Sequence, residues 1–404
     1  MIRSFLYRIL ERRHFWRRAT FSEVADLYIS RSLRLAAINI GAGFTSIYLY
    51  KSGYSIVFIM ALWAAVQFGK TLITPLAGIF LARIGTARGT LISNILYIPA
   101  MLAIGFMPEL GMTAIIIFAI FMAVSGTIYE ICYLVDFSIV KNPQHAGKEI
   151  GFMNIVEKLT ITISPVLGGF IALLFGAQVI MWLASILFAF STIPLLIINK
   201  KAEKRQRLTI HGFPWHMAAS SILAKSAVGF DIITTSVAWG LFVAIFIFPN
   251  SGNDIYVIIG VLSSITIIVA MVASIMYGKI IDKNRGGNLL KIGVISNSLV
   301  HLSRIFATTP FDSVGVNVLN ETATTAQNMA FLRGIFDIAD VSGHRVMYLV
   351  CIVAMNSFGA MLACIAMIIC EVCFGGIGAF RIFFAISALV ILGVGTARFP
   401  LYRR

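Results

Sequence analysis

Charge is what this chain has least of. Only 12% of its 404 residues are Asp, Glu, Lys or Arg, while 59% are apolar, against roughly 25% charged in a soluble domain. Such a chain cannot cover its own surface with charge, which excludes a water-soluble globule and makes lipid its solvent. Acidic residues are scarcer than basic ones, 17 against 32. The net charge of +15 does not point to nucleic acid, because the basic residues lie between apolar runs rather than on one soluble face. Cysteine is rare: Cys132, Cys351, Cys364, Cys370 and Cys373 all fall inside apolar stretches, so buried thiols are expected and a disulfide framework is not. Cys370 and Cys373 form a C-x-x-C, but no second ligand pair accompanies them to build a metal or redox centre. There is no H-E-x-x-H, no phosphate-binding loop and no cluster of carboxylates. An enzyme and an ATP-driven pump are therefore not expected, nor is a metal or an organic cofactor.

Long apolar runs are abundant, and the mean hydropathy is +0.92. Punctuation by Gly, Pro and charge gives runs at 33–50, 55–81, 89–107, 112–138, 150–174, 177–198, 217–247, 254–278, 289–308, 313–336, 346–372 and 376–397. A spanning helix needs about 20 apolar residues, so the expected fold is an all-α membrane protein of about twelve transmembrane helices. Runs longer than that imply tilted helices.

Lys and Arg collect in alternate connections. One set holds Arg83 and Arg88, Lys141 and Lys148, the run from Lys200 to Arg207, Lys279 to Lys291, and Arg345; the other holds little beyond Lys51, Glu109, Asp254 and Asp312. Both termini fall in the basic set, which predicts a cytoplasmic location for both. The first 18 residues carry six arginines among aromatic and aliphatic residues, which reads either as a basic helix on an anionic membrane face or as a frayed tail. No cleavable signal peptide is expected. The predicted organisation is a basic amphipathic segment 1–32, a six-helix bundle 33–198, a cytoplasmic linker 199–216, a second six-helix bundle 217–397 and a basic tail 398–404.

Two short connections echo each other 200 residues apart: Gly78 to Arg88, with Arg83 and Gly85, and Gly278 to Gly286, with Asp282 and Lys283. Internal duplication is common among transporters. These loops resemble the G-x-L-x-D-R-x-G-R-R/K signature of the major facilitator superfamily, and with the helix count and the basic mid-chain linker the resemblance extends over nearly the whole chain. It implies two six-helix bundles rocking about a central site, with loop carboxylates and arginines closing the cytoplasmic side. The second copy matches at Gly278, Asp282 and Lys283; the first matches at Gly78, Arg83, Gly85 and Arg88 but has Ala82 where the family carries Asp. By resemblance Asp282 is expected near Gly147–Gly151, and the gate that lacks its aspartate is expected to be the looser one. Ser164-Pro165-Val166-Leu167-Gly168-Gly169 is close to part of a proton-linked antiporter motif, although a kinked, closely packed helix is the simpler explanation.

Ionisable residues at membrane depth are functional candidates by default. Asn317, Glu321, Thr324 and Asn328 follow a helical period, as do Ser125, Tyr129, Cys132 and Asp136, at a constant offset of 192. Glu321 is the first proton-coupling candidate and Asp231, beside Thr234 and Thr235, the second. Tyr129, Asn317, Thr324, Asn356, Trp63, Lys70, Glu130 and Glu157 are the candidates for lining a substrate cavity, with Lys70–Glu130 or Lys70–Glu157 as an alternative, merely structural pair. Arg31 and Arg34 are read as snorkelling at the inner interface rather than binding an anion. Asn297, His301 and Arg304 are read as a patch at the outer interface, with a titrating His301 as the alternative.

The expected function is secondary active transport, coupled to the proton gradient, of a small hydrophobic or amphipathic solute, with export by antiport favoured. A lipid or lysolipid flippase of the same fold is the alternative, and a non-transporting sensor or assembly factor is the alternative from another class. The expected partners are membrane lipids and an unidentified small molecule, with no nucleic acid. A monomer in a prokaryotic inner (cytoplasmic) membrane is expected, on the short loops and the charge pattern.

Overall fold

The computed structural model of the chain describes residues 21–140, 146–197, 211–265 and 267–403. Their apolar runs are helical, and no strand occurs among them. In chain order the elements are α1 (Phe21–Ile40), a 3-10 turn (Ala42–Phe44), α2 (Thr45–Lys51), α3 (Ile56–Ile84), α4 (Thr86–Gly105), the short α5 (Met107–Leu110), α6 (Met112–Val140), α7 (Ala146–Phe175) and α8 (Ala177–Ile197). Then come α9 (Trp215–Ile233), α10 (Trp239–Phe242), α11 (Asp254–Ile265), α12 (Ile267–Ile280), α13 (Gly286–Phe306), α14 (Pro310–Val341), α15 (Arg345–Phe374) and α16 (Gly376–Leu392). π-helical turns extend α9 through Thr234–Ala238, α10 through Val243–Ile247 and α12 through Ile281–Arg285. Eight of the described helices are long and apolar enough to cross a membrane.

Local signals account for the ends. Ser55 caps α3, its hydroxyl accepting the Phe58 N–H at 3.1 Å. Thr309 and Asp312 form a capping box at the start of α14, where Pro310 occupies the first turn. Gly85, at φ +86°, stops α3 and lets α4 begin at once, a conformation that other residues rarely adopt.

Leaving aside the π turn at Ile281–Arg285, the helix bounds fall within five residues of the apolar runs except at the first. That helix is underway by Phe21, not residue 33, and it breaks at Gly41. Arg31 and Arg34 lie inside it rather than opening it. Residues 1–20, most of the basic amino-terminal segment, and residues 198–210 of the linker lie outside the described residues. The basic tail docks on the helices. The Tyr402 hydroxyl donates to the Ala330 carbonyl at 2.7 Å, and Phe399 meets Phe331 edge to face.

The interior divides into two apolar layers. One joins residues from α1 through α16, among them Phe44, Ile59, Phe118, Phe188, Phe242, Tyr256 and Phe384. The other gathers Leu81, Ile131, Phe137, Ala218, Leu289, Phe336, Leu349 and Phe399 at the opposite end, the end whose connections carry Arg83, Arg88, Lys283, Arg285 and Arg345. Each layer draws residues from both halves of the chain. The halves meet where α3 packs along α15 and α7 along α11 and α12. Gly169 allows the close approach there, facing the backbone of Tyr256, while Gly168 faces that of Ile40 within its own half, so the Pro165 segment acts as the packing element expected.

Candidate functional site

Three polar groups lie between the apolar layers. The first is built on α1, α4, α6 and α7. Arg31 places Nε 2.7 Å and Nη2 2.5 Å from the same Glu157 oxygen, and it donates to the Tyr129 hydroxyl at 2.8 Å. Tyr133 donates to that carboxylate at 3.1 Å, and its ring centroid is 3.4 Å from the Arg31 guanidinium. One turn along α1, Arg34 is 2% exposed. It donates to Asn94 at 2.6 Å and Ser93 at 3.1 Å, and its guanidinium lies 3.8 Å from the Tyr129 ring centroid. Its partners are neutral oxygens and aromatic faces. The snorkelling expected of both arginines is therefore wrong, because the Glu157 carboxylate and two tyrosines hold Arg31, and amide, hydroxyl and π groups on α4 and α6 solvate Arg34, where they stand.

The second group lies on α9, α13 and α14. Asp231 is buried, and its Oδ1 is 2.8 Å from His301 Nε2. Its Oδ2 accepts from Asn297 at 3.1 Å, and Thr235 donates to Oδ1 at 3.3 Å. The other ring nitrogen of His301 is 3.0 Å from Arg304 Nη1, and Arg304 Nη2 donates to Asn320 at 2.8 Å. Asn297 also donates to Gln327 at 3.2 Å. His301 and Arg304 are fully buried, which corrects the outer-interface reading: the helix that carries them turns this face to α9 and α14. The π turn at Thr234–Ala238 contributes to the geometry. Its wider turn keeps Asp231, Thr235 and Trp239 on one side of the helix, and Trp239 donates to Asn317 at 2.8 Å.

The third group joins the halves. Lys70 of α3 is 3.2 Å from Glu130 Oε2, and Asn356 of α15 donates to Glu130 Oε1 at 3.2 Å. Of the two pairings open to Lys70, the structure forms the one with Glu130; Glu157 is taken by Arg31.

The remaining candidates are dispersed. Trp63 is core: it is 8% exposed, donates to Ser46 at 2.9 Å and meets Phe118 edge to face. Thr324 returns its hydroxyl to the Asn320 carbonyl at 2.7 Å. Glu321 is half-buried on α14, one turn beyond Asn317, while Asn328 at the far end of that stripe is exposed. On α6, Ser125 donates to the Ser93 carbonyl at 2.7 Å, and Asp136 accepts from the Thr86 hydroxyl at the start of α4. In the loops, Gly78 and Gly278 are buried, Asp282 is half-buried, and Arg83, Arg88 and Lys283 are exposed. The turn carrying Asp282 packs against α7; the side chains of Gly147–Gly151 lie outside the described residues.

Sequence reasoning passed over Ser93, Asn94, Tyr133, Lys225, Trp239, Asn320 and Gln327. Lys225 was findable as a lone lysine inside an apolar run. Asn320 and Gln327 are spaced i, i+7 and so share a face of α14, but the neighbouring Asn317–Glu321 stripe drew attention away from it.

Comparison with known proteins places this architecture. The sequence profile described as Major Facilitator Superfamily matches residues 27–335. No curated protein matches the chain by sequence. Among solved structures, that described as the human organic anion transporter MFSD10 (TETRAN) superposes with a TM-score of 0.69, at 10% identity, covering 92% of this chain and 99% of that one. With the profile match extending over most of the chain, this protein belongs to the Major Facilitator Superfamily.

Proposed function

We propose that the protein is a proton-coupled secondary active transporter that moves a small amphipathic solute by alternating access. In this reading twelve spans cross the membrane, the basic end of the helices faces the cytoplasm and both termini lie there, as positive-inside asymmetry requires. The apolar layers act as the two barriers, and the polar groups between them form the midplane site at which the halves rock. The solved relative is described as an organic anion transporter, a carrier role in line with this one.

The chain Asp231–His301–Arg304 is the observation that carries the coupling. A guanidinium has only donors, so Arg304, 3.0 Å from His301 Nδ1, requires a lone pair on that nitrogen. His301 is then neutral and gives its Nε2 proton to Asp231, 2.8 Å away. A second proton on the ring would turn this acceptor into a donor facing Arg304 and set two cations against each other. A proton on Asp231 would instead cancel the charge that attracts both. Either event releases Arg304 toward Thr235 and Asn320, its other partners, and loosens α13 from α9. Proton binding is thereby linked to a rearrangement of the carboxyl-terminal half, and Glu321 on α14 is the second group through which a proton could pass.

The test is flux in proteoliposomes under an imposed pH gradient, with internal pH read by a trapped dye while a solute panel is added. The expected outcome is solute movement that dissipates the gradient. In Asp231→Asn coupling is lost while solute exchange persists, and Glu321→Gln measures the second candidate. Solute flux indifferent to the gradient, or coupling intact in both variants, overturns the reading.

A further inference from the structure

Glu130 bonds a lysine of its own half and an amide of the other half. Lys70 lies 3.2 Å from one oxygen. Lys225 of α9 is half-buried and lies beside the α15 segment that carries Asn356, because Ser226 and Gly229 meet Gly359 and Asn356 backbone to backbone. Its ammonium is 6.0 Å from the Phe331 ring centroid, a weak contact beside a full charge. A lysine from each half, Lys70 bonded to Glu130 and Lys225 on the helix packed against Asn356, therefore flanks this one carboxylate.

Their depth is common. Glu130 is ten residues from the end of α6, Lys225 ten from the start of α9 and Asn356 eleven from the start of α15, each about 15 Å into its helix. An unneutralised ammonium at that depth costs free energy that a second anion would recover. Glu130 itself is loosely held. Both of its bonds are 3.2 Å long, against about 2.8 Å for a strong charge-assisted bond, and 27% of its side chain remains exposed. Lys70 and Glu130 come from the amino-terminal half, Lys225 and Asn356 from the other.

We propose that Lys70, Lys225 and Asn356 form a binding site for the anionic head of an amphipathic solute, a carboxylate, sulfonate or phosphate monoester, with Glu130 holding the site shut in its absence. The incoming anion takes the two ammonium groups and the Asn356 amide, and Glu130 withdraws. The apolar layers on either side accept the hydrocarbon body. Because each half supplies one lysine, an occupied site ties the halves together, and an empty one ties them only through Glu130. This rests on the transporter reading above and adds the sign of the cargo.

Binding separates the two claims, because it needs no turnover. Purified full-length protein in nanodiscs of uncharged lipid is titrated with three probes of one body: naphthaleneacetate, naphthaleneacetamide and naphthylmethylammonium. Naphthalenesulfonate, naphthyl phosphate and decanoate form further arms, and the last distinguishes a membrane-borne fatty anion from a water-soluble one. The anions are expected to bind and the amide and the ammonium are not. Lys225→Gln and Lys70→Gln should each weaken the anion about tenfold, the loss of roughly one charge contact. Lys225→Arg keeps the charge and should keep the affinity, which guards against a mere folding defect. Glu130→Gln removes the competitor and should tighten the anion, a direction that a purely structural carboxylate would not give. Failure of every anion to bind, equal binding of amide and carboxylate, or weaker binding in Glu130→Gln overturns the proposal. Anion binding without flux would leave this site standing and sink the transporter reading instead.

Discussion

Arg34 is the residue whose environment departs furthest from its sequence context. In sequence it stands where a span begins, and positive charge at such places ordinarily reaches for the interface. In the structure it is 2% exposed and held by Asn94, Ser93 and Tyr129. A buried charge held only by neutral groups is retained at a cost, and an apolar side chain of similar length is often tolerated as well or better. Arg34→Met should therefore leave stability within about 1 kcal/mol of wild type. Arg34→Lys should lower it by roughly 1–3 kcal/mol, because an ammonium cannot stack on Tyr129 or fork to Asn94 and Ser93. Thermal unfolding in detergent measures both, and a Met variant less stable than the Lys variant would refute this account. The same residue shows how far a sequence can be read. The types at 31, 34, 231, 301 and 304 were recognisable as unusual, but a charge in an apolar run looks the same whether lipid headgroups, a carboxylate or a ring of tyrosines solvates it. Those solvating groups come from other helices, and no local pattern records them.

The elements were far more legible, because hydropathy and Gly or Pro punctuation are local. The first helix is the exception. Its arginines mimic a boundary, and the helix runs on through them. The side-to-side fit of elements was not legible. Gly229 on α9 and Gly359 on α15 face each other's helix so closely that a Cβ on either would overlap a backbone carbonyl, of Asn356 or Ser226. Backbone cannot yield as a side chain can. Gly359→Ala should therefore cost about 3 kcal/mol or more and displace Asn356, one turn away, from Glu130. Gly240→Ala on α10 meets nothing within 4 Å, and it should stabilise by up to about 1 kcal/mol through helix propensity alone. Urea or thermal unfolding of the two variants side by side is the measurement. Equal effects would mean that α9 and α15 are not packed as described.

At the scale of the molecule the halves repeat a plan while differing in chemistry. Each buries an arginine among polar groups from its first, third and fourth long helices: Arg34 with α4 and α6, and Arg304 with α9, α13 and α14. Their gates diverge. Asp282 sits in the π turn that joins α12 to α13, four residues before α13, and that turn packs against α7 of the opposite half. At the matching place before α4 stands Ala82. The start of α4 does have a carboxylate, because Thr86 donates to Asp136, but Asp136 belongs to the same half. It can steady the helix end without tying one bundle to the other. Of the two basic-end closures, that between the end of α3 and the start of α15 should then open first. Cysteine pairs placed at each closure, on a background lacking the five native cysteines, should report it in proteoliposomes. Under a gradient and solute that drive the site toward the basic side, the α3–α15 disulfide yield should fall before that between the Asp282 turn and α7. Restoring Asp at position 82 should bring the two yields together. Loss in the reverse order, or yields indifferent to Ala82→Asp, would show that the missing carboxylate does not set the order of opening.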